Sequence, residues 1–242
     1  MIGIQMYTVK DKSEKDFEQT IRNVVSIGYK ELEFAGYYGL PPDRLKAILE
    51  EVGAKGINAH VSLEALKNDF PNQLAYIKAM GMEVVTIPYI ADEYRCDEMA
   101  IKNTCQLINE ISKKLAKENV KLAYHNHGME FEKINDTYIM DLLLENTDMY
   151  LELDTYWSYS ANVDTIAYMK KHRDRLLCIH VKDMDKNEEK STELGNGRID
   201  VKEIINVAKE LDVKSIILEQ EHFEMDCLEA IKIDYKFLVA NI

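Results

Sequence analysis

The sequence predicts an α/β fold, a single-domain (β/α)8 barrel over residues 1–242. Short β-branched runs alternate with longer helical patterns about every 30 residues from one end of the chain to the other. Eight such units in 242 residues match the usual barrel length of about 250. No Pro-, Gly- or Ser-rich linker and no change of composition divides the chain, so one domain is favoured over two.

The eight strands are predicted from short runs rich in β-branched and other apolar residues. They are Met1–Met6, Glu31–Phe34, Gly56–Val61, Glu83–Pro88, Lys121–His125, Tyr150–Asp154, Leu177–Val181 and Ser215–Glu219. An open, doubly wound sheet is the alternative. It would carry a glycine-rich fingerprint after its first strand, whereas this chain has Tyr7-Thr8-Val9-Lys10 there, which favours the barrel.

Helices are predicted between the strands. The first long helix has apolar residues at spacings of three and four, at Phe17, Ile21 and Val24. Ser13 with Asp16 resembles an imperfect capping box before it. The Pro41-Pro42 pair predicts the start of another helix, and glycines are expected at three C-terminal caps, namely Gly28, Gly53 and Gly81.

Composition and charge exclude several function classes. The 30 Lys and Arg against 43 Asp and Glu give a net charge of −13, which disfavours nucleic acid and anionic membranes as partners. No apolar run approaches the roughly 18 residues that span a bilayer. The first residues lack the pattern of a signal peptide, so a cytoplasmic location is expected. The four cysteines form no CxxC pair, which predicts neither disulfides nor a zinc knuckle.

Groups capable of metal or proton chemistry end the last four predicted strands. In a barrel the carboxyl ends of the strands build the active site, so these side chains are expected to converge. Asp154, His180 and Glu219 form a mixed oxygen and nitrogen set that suits Mn, Mg, Co or Zn. Each alone has an ordinary structural explanation, a helix cap, a satisfied histidine or an ion pair. Their occurrence at successive strand ends favours a metal site.

Five motifs resemble a family of the xylose isomerase-like TIM-barrel superfamily, the sugar isomerases/epimerases, which are also called sugar phosphate isomerases/epimerases. They are Tyr124-His-Asn-His-Gly-Met-Glu-Phe131, Leu151-Glu-Leu-Asp-Thr-Tyr-Trp157, Ile179-His-Val-Lys-Asp-Met184, Leu194-Gly-Asn-Gly-Arg-Ile-Asp200 and Leu218-Glu-Gln-Glu221. The specific part of the resemblance is residues 121–221. It implies a TIM barrel with one divalent metal, manganese first and Mg, Co or Zn as alternatives.

The resemblance also implies the ligands of that metal. In the family an acidic residue follows strand five, and Asp154, His180 and Glu219 match the ligands after strands six to eight. His125 stands where the epimerases have a glutamate. His127 and Glu130 are the other candidates for this ligand, and the sequence leaves the choice open. In the family's epimerases the two glutamate ligands also act as the bases that transfer the proton. His125 in place of one of them therefore affects the symmetric mechanism in which each glutamate is a base.

The expected chemistry is proton abstraction next to a carbonyl. A metal in this position can bind the carbonyl and adjacent hydroxyl of an open-chain sugar and stabilise an enediolate. The base is expected to be Glu219 or His127, with Glu130 and Lys182 as further catalytic candidates. Reprotonation gives epimerisation or isomerisation of a small keto-sugar, sugar phosphate or cyclitol. Loss of a β-hydroxyl makes a dehydratase of a keto-sugar or keto-inositol the alternative.

Further residues are candidates for substrate binding. They are Gln5, His60, Trp157, Arg198 and Glu221. Lys182 and Glu221 each lie two residues past a proposed ligand, so strand alternation directs them to the same side, where they bind substrate hydroxyls or each other. Arg198 follows two glycines and could bind a phosphate or carboxylate, or form an ion pair within the barrel mouth. The glycine pattern is not a P-loop.

Two other functions fit the fold less well. The endonuclease branch of the superfamily uses more histidines and a basic surface, which six histidines and a charge of −13 disfavour. A sugar-binding protein without catalysis is disfavoured by the intact Asp154, His180 and Glu219. A homodimer is expected as a possible assembly, with Tyr37-Tyr38 and Phe237-Leu238-Val239 as contact candidates.

Overall fold

The chain folds into an eight-stranded parallel barrel surrounded by helices, which confirms the predicted fold class. The computed structural model describes residues 2–242, so Met1 of the first predicted strand lies outside the described residues. The barrel strands are β1 Ile2–Gln5, β2 Glu31–Phe34, β3 Lys55–Ala59, β4 Val84–Ile87, β5 Lys121–His125, β6 Tyr150–Asp154, β7 Leu176–Val181 and β8 Ser215–Leu218. The predicted bounds agree within one or two residues.

Neighbouring strands pair in the order β3-β2-β1-β8-β7-β6-β5-β4. The two ends of this order meet through a parallel bridge between His60 and Thr86, where Val61 N donates to Thr86 O at 2.9 Å. This contact closes the barrel just beyond the end of β3. The carboxyl ends of all eight strands therefore surround one opening.

Eleven helical segments are found in residues 2–242. They are α1 Lys10–Ser13, α2 Phe17–Ile27, α3 Pro42–Val52, α4 Leu63–Asn68, α5 Phe70–Met80, α6 Glu98–Ala116, α7 Ile139–Glu145, α8 Thr155–Ser160, α9 Thr165–Lys171, α10 Val201–Glu210 and α11 Cys227–Asn241. The loops add three 3-10 turns, Met6–Val9, Asp92–Tyr94 and Gly128–Phe131. Among these residues, no helix is both long and apolar enough to cross a membrane.

The helix boundaries largely follow the predicted signals. Gly28, Gly53 and Gly81 cap α2, α3 and α5 with positive φ angles, where a Cβ would be strained. The capping box of Ser13 with Asp16 is wrong. Asp16 itself is the N-cap of α2 and accepts from Gln19 N at 3.0 Å, whereas Ser13 ends α1.

The upper half of the barrel interior is polar, although layers of branched apolar side chains fill most barrels of this kind. Hydrophobic side chains occupy the layer between strands and helices, as with Phe17, Ile21 and Val24 of α2. The buried polar side chains inside the barrel are Gln5, Glu33, Asn58, Thr86, His125, Glu152 and His180. Since burying polar groups costs free energy unless they are paired, this layer marks a functional site.

Candidate active site

A cavity of about 550 Å³ opens at the carboxyl ends of the barrel strands, where the fold predicts an active site. Its lining residues are Tyr7, Ala35, Gly36, His60, Ser62, Pro88, Tyr89, His125, His127, Met129, Glu219 and Glu221. The cavity is large enough for a monosaccharide or cyclitol. Its floor consists of the polar layer of the barrel.

Four side chains at successive strand ends form a cluster that could hold a metal ion. One ligand atom from each of His125, Asp154, His180 and Glu219 lies within 4.8 Å of every other one. The Nδ1 of His180 is 3.1 Å from Glu219 Oε2, and the Nε2 of His125 is 3.9 Å from Asp154 Oδ2. These four residues, here called the ligand cluster, are the three ligands predicted after strands six to eight together with His125, one of the three candidates for the strand-five ligand.

The ligand cluster passes a chemical test of fit for a divalent cation. Asp154 caps α8, because its Oδ1 accepts from Tyr156 N at 2.9 Å and from Trp157 N at 3.0 Å. Its Oδ2 is buried and accepts no hydrogen bond from the described residues, and the ammonium of Lys182 lies 3.1 Å from it. Two imidazole nitrogens and two carboxylates form a donor set that Mn, Co and Zn accept.

An inner group of carboxylates lies beneath the ligand cluster, and the sequence analysis missed it as part of the site. Oε1 of Glu152 is 2.7 Å from His60 Nε2, 3.1 Å from His180 Nε2 and 3.3 Å from His125 Nδ1. Glu33 Oε1 lies 2.6 Å from His180 Nε2. Glu152 precedes Asp154 by two residues, so strand alternation was the signal that could have found it.

These contacts make His60, His125, Glu152 and His180 a second set of side chains with the spacing of metal ligands. The set shares His125 and His180 with the ligand cluster, and it uses their other ring nitrogens. Asn58 also donates to the inner carboxylates, because its Nδ2 lies 2.6 Å from both Glu33 Oε2 and Glu152 Oε2. The inner group is therefore already bound to protein donors.

Burial and charge set the protonation of the histidines. Burial holds the pKa of His125 well below its usual value and also lowers the pKa of His127, so both rings are neutral at pH 7. Burial lowers the pKa of His60 too, but the charges of Glu33 and Glu152 outweigh it and raise that pKa to about 10. The neutral rings can ligate a metal or accept a proton.

Lys182 is a buried cation within an acidic group. Its Nζ lies 2.6 Å from Glu221 Oε1, 2.8 Å from Glu219 Oε2 and 3.1 Å from Asp154 Oδ2. Burial raises the pKa of Glu219, but the charges of Lys182 and His180 outweigh it and hold the pKa well below its usual value. Glu219 is therefore ionised at neutral pH.

The strand-five loop gives His127 and Glu130 different environments. His127 lines the cavity and packs against Trp157, with ring centroids 5.5 Å apart. Glu130 is fully buried, and it accepts from Tyr124 Oη at 2.8 Å and from His127 N at 2.6 Å. Glu130 thus fixes the loop that carries His127 and does not line the cavity. Among the candidates for the strand-five ligand, only His125 joins the ligand cluster.

The predicted substrate-binding residues lie in four different places. His60 and Glu221 line the cavity. Gln5 is fully buried below it and donates to Glu33 Oε1 at 2.8 Å. Trp157 lines a smaller neighbouring cavity of about 250 Å³ together with Lys182 and Glu221. Arg198 lies apart from all of these.

Arg198 lines a separate cavity of about 590 Å³ between α8, α9 and the β7 loop. Its guanidinium lies 2.7 Å from Met184 Sδ. The glycine loop before it folds around Asp183, whose Oδ2 accepts from Gly195 N and Gly197 N. Arg198 is not among the residues that line the barrel-mouth cavity, and its role in substrate binding or in an ion pair stays a prediction.

Comparison with known proteins identifies relatives along nearly the whole chain. A family model described as xylose isomerase-like TIM barrel matches residues 21–238. The inosose dehydratase of Clostridium perfringens is 24% identical over 198 residues, which cover 72% of this chain and 66% of the relative. The chain thus spans just under two thirds of the length of that curated relative.

Solved structures resemble the barrel over its full extent. A sugar phosphate isomerase/epimerase from Parabacteroides distasonis superposes with a TM-score of 0.80 at 26% identity, covering 98% of this chain and 97% of the other. An L-ribulose 3-epimerase superposes with a TM-score of 0.77 at 14% identity, covering 99% and 93%. The second likeness is one of fold.

Proposed function

Because the chain belongs to the xylose isomerase-like TIM-barrel family, we propose that it is a divalent-metal-dependent isomerase or epimerase of a small keto-sugar, sugar phosphate or cyclitol. The observation that carries the proposal is the ligand cluster, in which His125, Asp154, His180 and Glu219 converge at the floor of the cavity. Manganese is the metal we propose first, with Mg, Co and Zn as alternatives. A cytoplasmic location and a homodimer stay predictions from the sequence.

The ligand cluster would hold the ion, with Asp154 Oδ2 and His180 Nδ1 among the donor atoms. A bound divalent ion would polarise the substrate carbonyl and stabilise the negative charge that develops when the neighbouring C–H proton leaves. The remaining chemistry belongs to side chains of the cavity.

Glu219 is our candidate for the base that removes this proton. It is ionised at neutral pH and lines the cavity. Glu221, the other carboxylate of the cavity lining, is paired with Lys182. The C–H electrons stay on the substrate, and the proton moves to a carboxylate oxygen of Glu219.

His127 is our candidate for the group on the other side of the substrate. Its ring lines the cavity and is neutral because of burial, so it can accept or return a proton near pH 7. Return of the proton to the same carbon from the opposite face inverts that centre, and return to the neighbouring carbon moves the carbonyl. Glu130 acts through His127 by holding the loop, and it takes no proton-transfer step.

A dehydratase is the second candidate, and the relatives named inosose dehydratase favour it. The first step is the same, since a proton beside the carbonyl must leave. A hydroxyl on the next carbon then departs as water after it receives a proton. The substrate would be a keto-inositol or a related keto-sugar.

Solvent exchange separates these alternatives. The manganese-loaded protein is incubated in deuterated water with a panel of ketoses and with a keto-inositol, and the products are followed by NMR. Deuterium beside the carbonyl together with a new epimer or isomer supports the proposal. Loss of water with an unsaturated ketone as product supports the dehydratase. Neither result with any substrate would contradict both. Glu219→Gln should abolish exchange, whereas the exposed Glu224→Gln serves as its matched control.

A further inference from the structure

The charge of the cavity bears on which substrate it can accept. Among the described residues that line it, none is a lysine or arginine, and two are carboxylates, Glu219 and Glu221. The side chain of Glu221 is 38% exposed, so its charge faces the opening. His60, which also lines the cavity, is already paired with the inner carboxylates, since its Nε2 lies 2.7 Å from Glu152 Oε1 and 3.1 Å from Glu33 Oε1.

The cations nearest the cavity already contact other groups of the protein. Lys182 is 1% exposed and lies within 3.1 Å of oxygens from three carboxylates. Lys10 lies outside the cavity lining, where its ammonium donates to the Tyr7 hydroxyl at 3.0 Å. Arg198 lines a different cavity. None of these three side chains is among the residues that line the cavity.

The backbone amides that could bind a phosphate are also occupied. Barrels of this kind often bind phosphate in the loops after strands seven and eight. In the loop after β7, the carboxylate of Asp183 fills that position: Oδ2 accepts from Gly195 N and Gly197 N at 2.9 Å. Its Oδ1 accepts from Met184 N at 2.8 Å and from Ile199 N at 3.1 Å. Asp183 thus acts as an internal anion.

The glycine in this loop permits the close approach. A Cβ at Gly197 would lie 2.1 Å from Met184 O and 2.2 Å from Asp183 Oδ1. The glycine is therefore explained by packing around Asp183, with no need for a bound phosphate.

The loop after β8 is satisfied internally as well. Ser191 Oγ accepts from Glu221 N at 3.0 Å and from His222 N at 2.8 Å. Thr8 Oγ1 accepts from Gln220 N at 3.2 Å. Both loops that could hold a phosphate therefore present their amides to side chains of the protein.

We propose that this site selects an uncharged polyhydroxylated ketone and rejects the phosphate ester or carboxylate of the same compound. Sugar hydroxyls can donate to Glu221, and the half-exposed rings of Tyr7 and Tyr89 at the cavity wall can contact C–H groups. A phosphate would bring further negative charge beside Glu219 and Glu221, and the ammonium of Lys182 is already shared by three carboxylates. The inference rests on the proposed function, because it names the substrate class of that site.

Calorimetric titration of the manganese-loaded protein tests the inference with two pairs, D-ribulose against D-ribulose 5-phosphate and D-fructose against D-fructose 6-phosphate. We expect each free ketose to bind at least about tenfold more tightly than its phosphate ester. Glu221→Gln should narrow that ratio, and Glu224→Gln, on the exposed surface, should leave it unchanged. Equal or tighter binding of the esters would overturn the inference.

Deuterium exchange with the same four compounds separates this inference from the proposed function. Exchange that favours the esters would overturn the substrate class and leave the proposed function standing. Tighter binding of the free ketoses without exchange would support the selectivity and contradict the proposed reaction. Absence of binding by all four compounds would overturn both.

Discussion

Glu33 holds the ring of His180 from below the ligand cluster. Its Oε1 lies 2.6 Å from His180 Nε2, and both side chains are completely buried. With Nε2 donating to this carboxylate, Nδ1 is the ring atom that faces Glu219, at 3.1 Å. A carboxylate that accepts a hydrogen bond from a histidine ligand fixes the orientation of the ring, raises the basicity of its other nitrogen and so affects the metal affinity of the site.

Glu33→Gln should therefore weaken metal binding without removing a ligand. We expect the affinity for Mn²⁺ to fall about 10- to 100-fold, because the amide cannot hold the His180 ring as the charged acceptor does. Calorimetric titration of the metal-free variant with Mn²⁺ measures this. Glu51→Gln is the control, since Glu51 pairs with Arg22 on the surface. Equal affinities in the two variants would argue against an orienting role.

Lys182 provides positive charge to the same oxygens that would hold the metal. Its Nζ lies 2.8 Å from Glu219 Oε2 and 3.1 Å from Asp154 Oδ2. In Lys182→Met those buried carboxylates lose their cation, so the free energy of unfolding of the metal-free protein should fall by about 3 kcal/mol. Mn²⁺ should restore part of that loss, because it supplies positive charge at the same place.

Urea unfolding with and without Mn²⁺ measures both effects. Lys171→Met is the control, because Lys171 pairs with Asp141 outside the barrel mouth and its side chain is 54% exposed. If Mn²⁺ stabilises Lys182→Met no more than it stabilises the wild type, the ammonium and the metal do not share these carboxylates.

Asp234 of α11 should make stability depend on pH. Its Oδ1 accepts from Leu194 N at 2.7 Å, and its Oδ2 is buried without a partner among the described residues. Burial raises the pKa of Asp234 to about 8, above its ordinary value of 3.8. The folded state therefore holds a proton that the unfolded state has lost between these two values. Stability from this group is complete below about pH 4 and declines as the pH rises to about 8.

Asp234→Asn keeps an acceptor for Leu194 N and cannot ionise. Compared with the wild type, the variant should gain relative stability as the pH rises from 4 to 8, at no more than about 1.4 kcal/mol per pH unit. Urea unfolding at several pH values measures the difference. A difference that stays constant over this range would show that Asp234 ionises in the folded protein as it does in the unfolded chain.

The barrel and the ligand cluster could be predicted from the sequence because both depend on local patterns. Strand periodicity placed the strands within two residues, and parallel strands bring their carboxyl ends together, which made Asp154, His180 and Glu219 neighbours. His125 was a candidate for the same set because it stands at the end of β5, where the family has its acidic ligand, and it lies beside the other three.

The inner group was missed because its contacts depend on distant parts of the chain. Glu33 lies 147 positions before His180, and β2 carries no local sign that its carboxylate reaches across the barrel. Glu130 and Arg198 show the opposite case. Their sequence positions place them near the site, but Glu130 is buried in a 3-10 turn where it accepts from Tyr124 Oη, and Arg198 lines a separate cavity. The conformation of a loop determines whether the side chains that it carries reach the site.

The central claim is that the ligand cluster binds one divalent ion. Metal content by mass spectrometry, on protein purified without a histidine tag, tests it most directly. The wild type should carry about one equivalent of Mn, Co or Zn per chain, and Asp154→Asn/Glu219→Gln should carry none. The exposed pair Asp43→Asn/Glu224→Gln removes the same charge elsewhere and should retain the metal. A wild-type protein without metal, even after incubation with Mn²⁺, would contradict the claim.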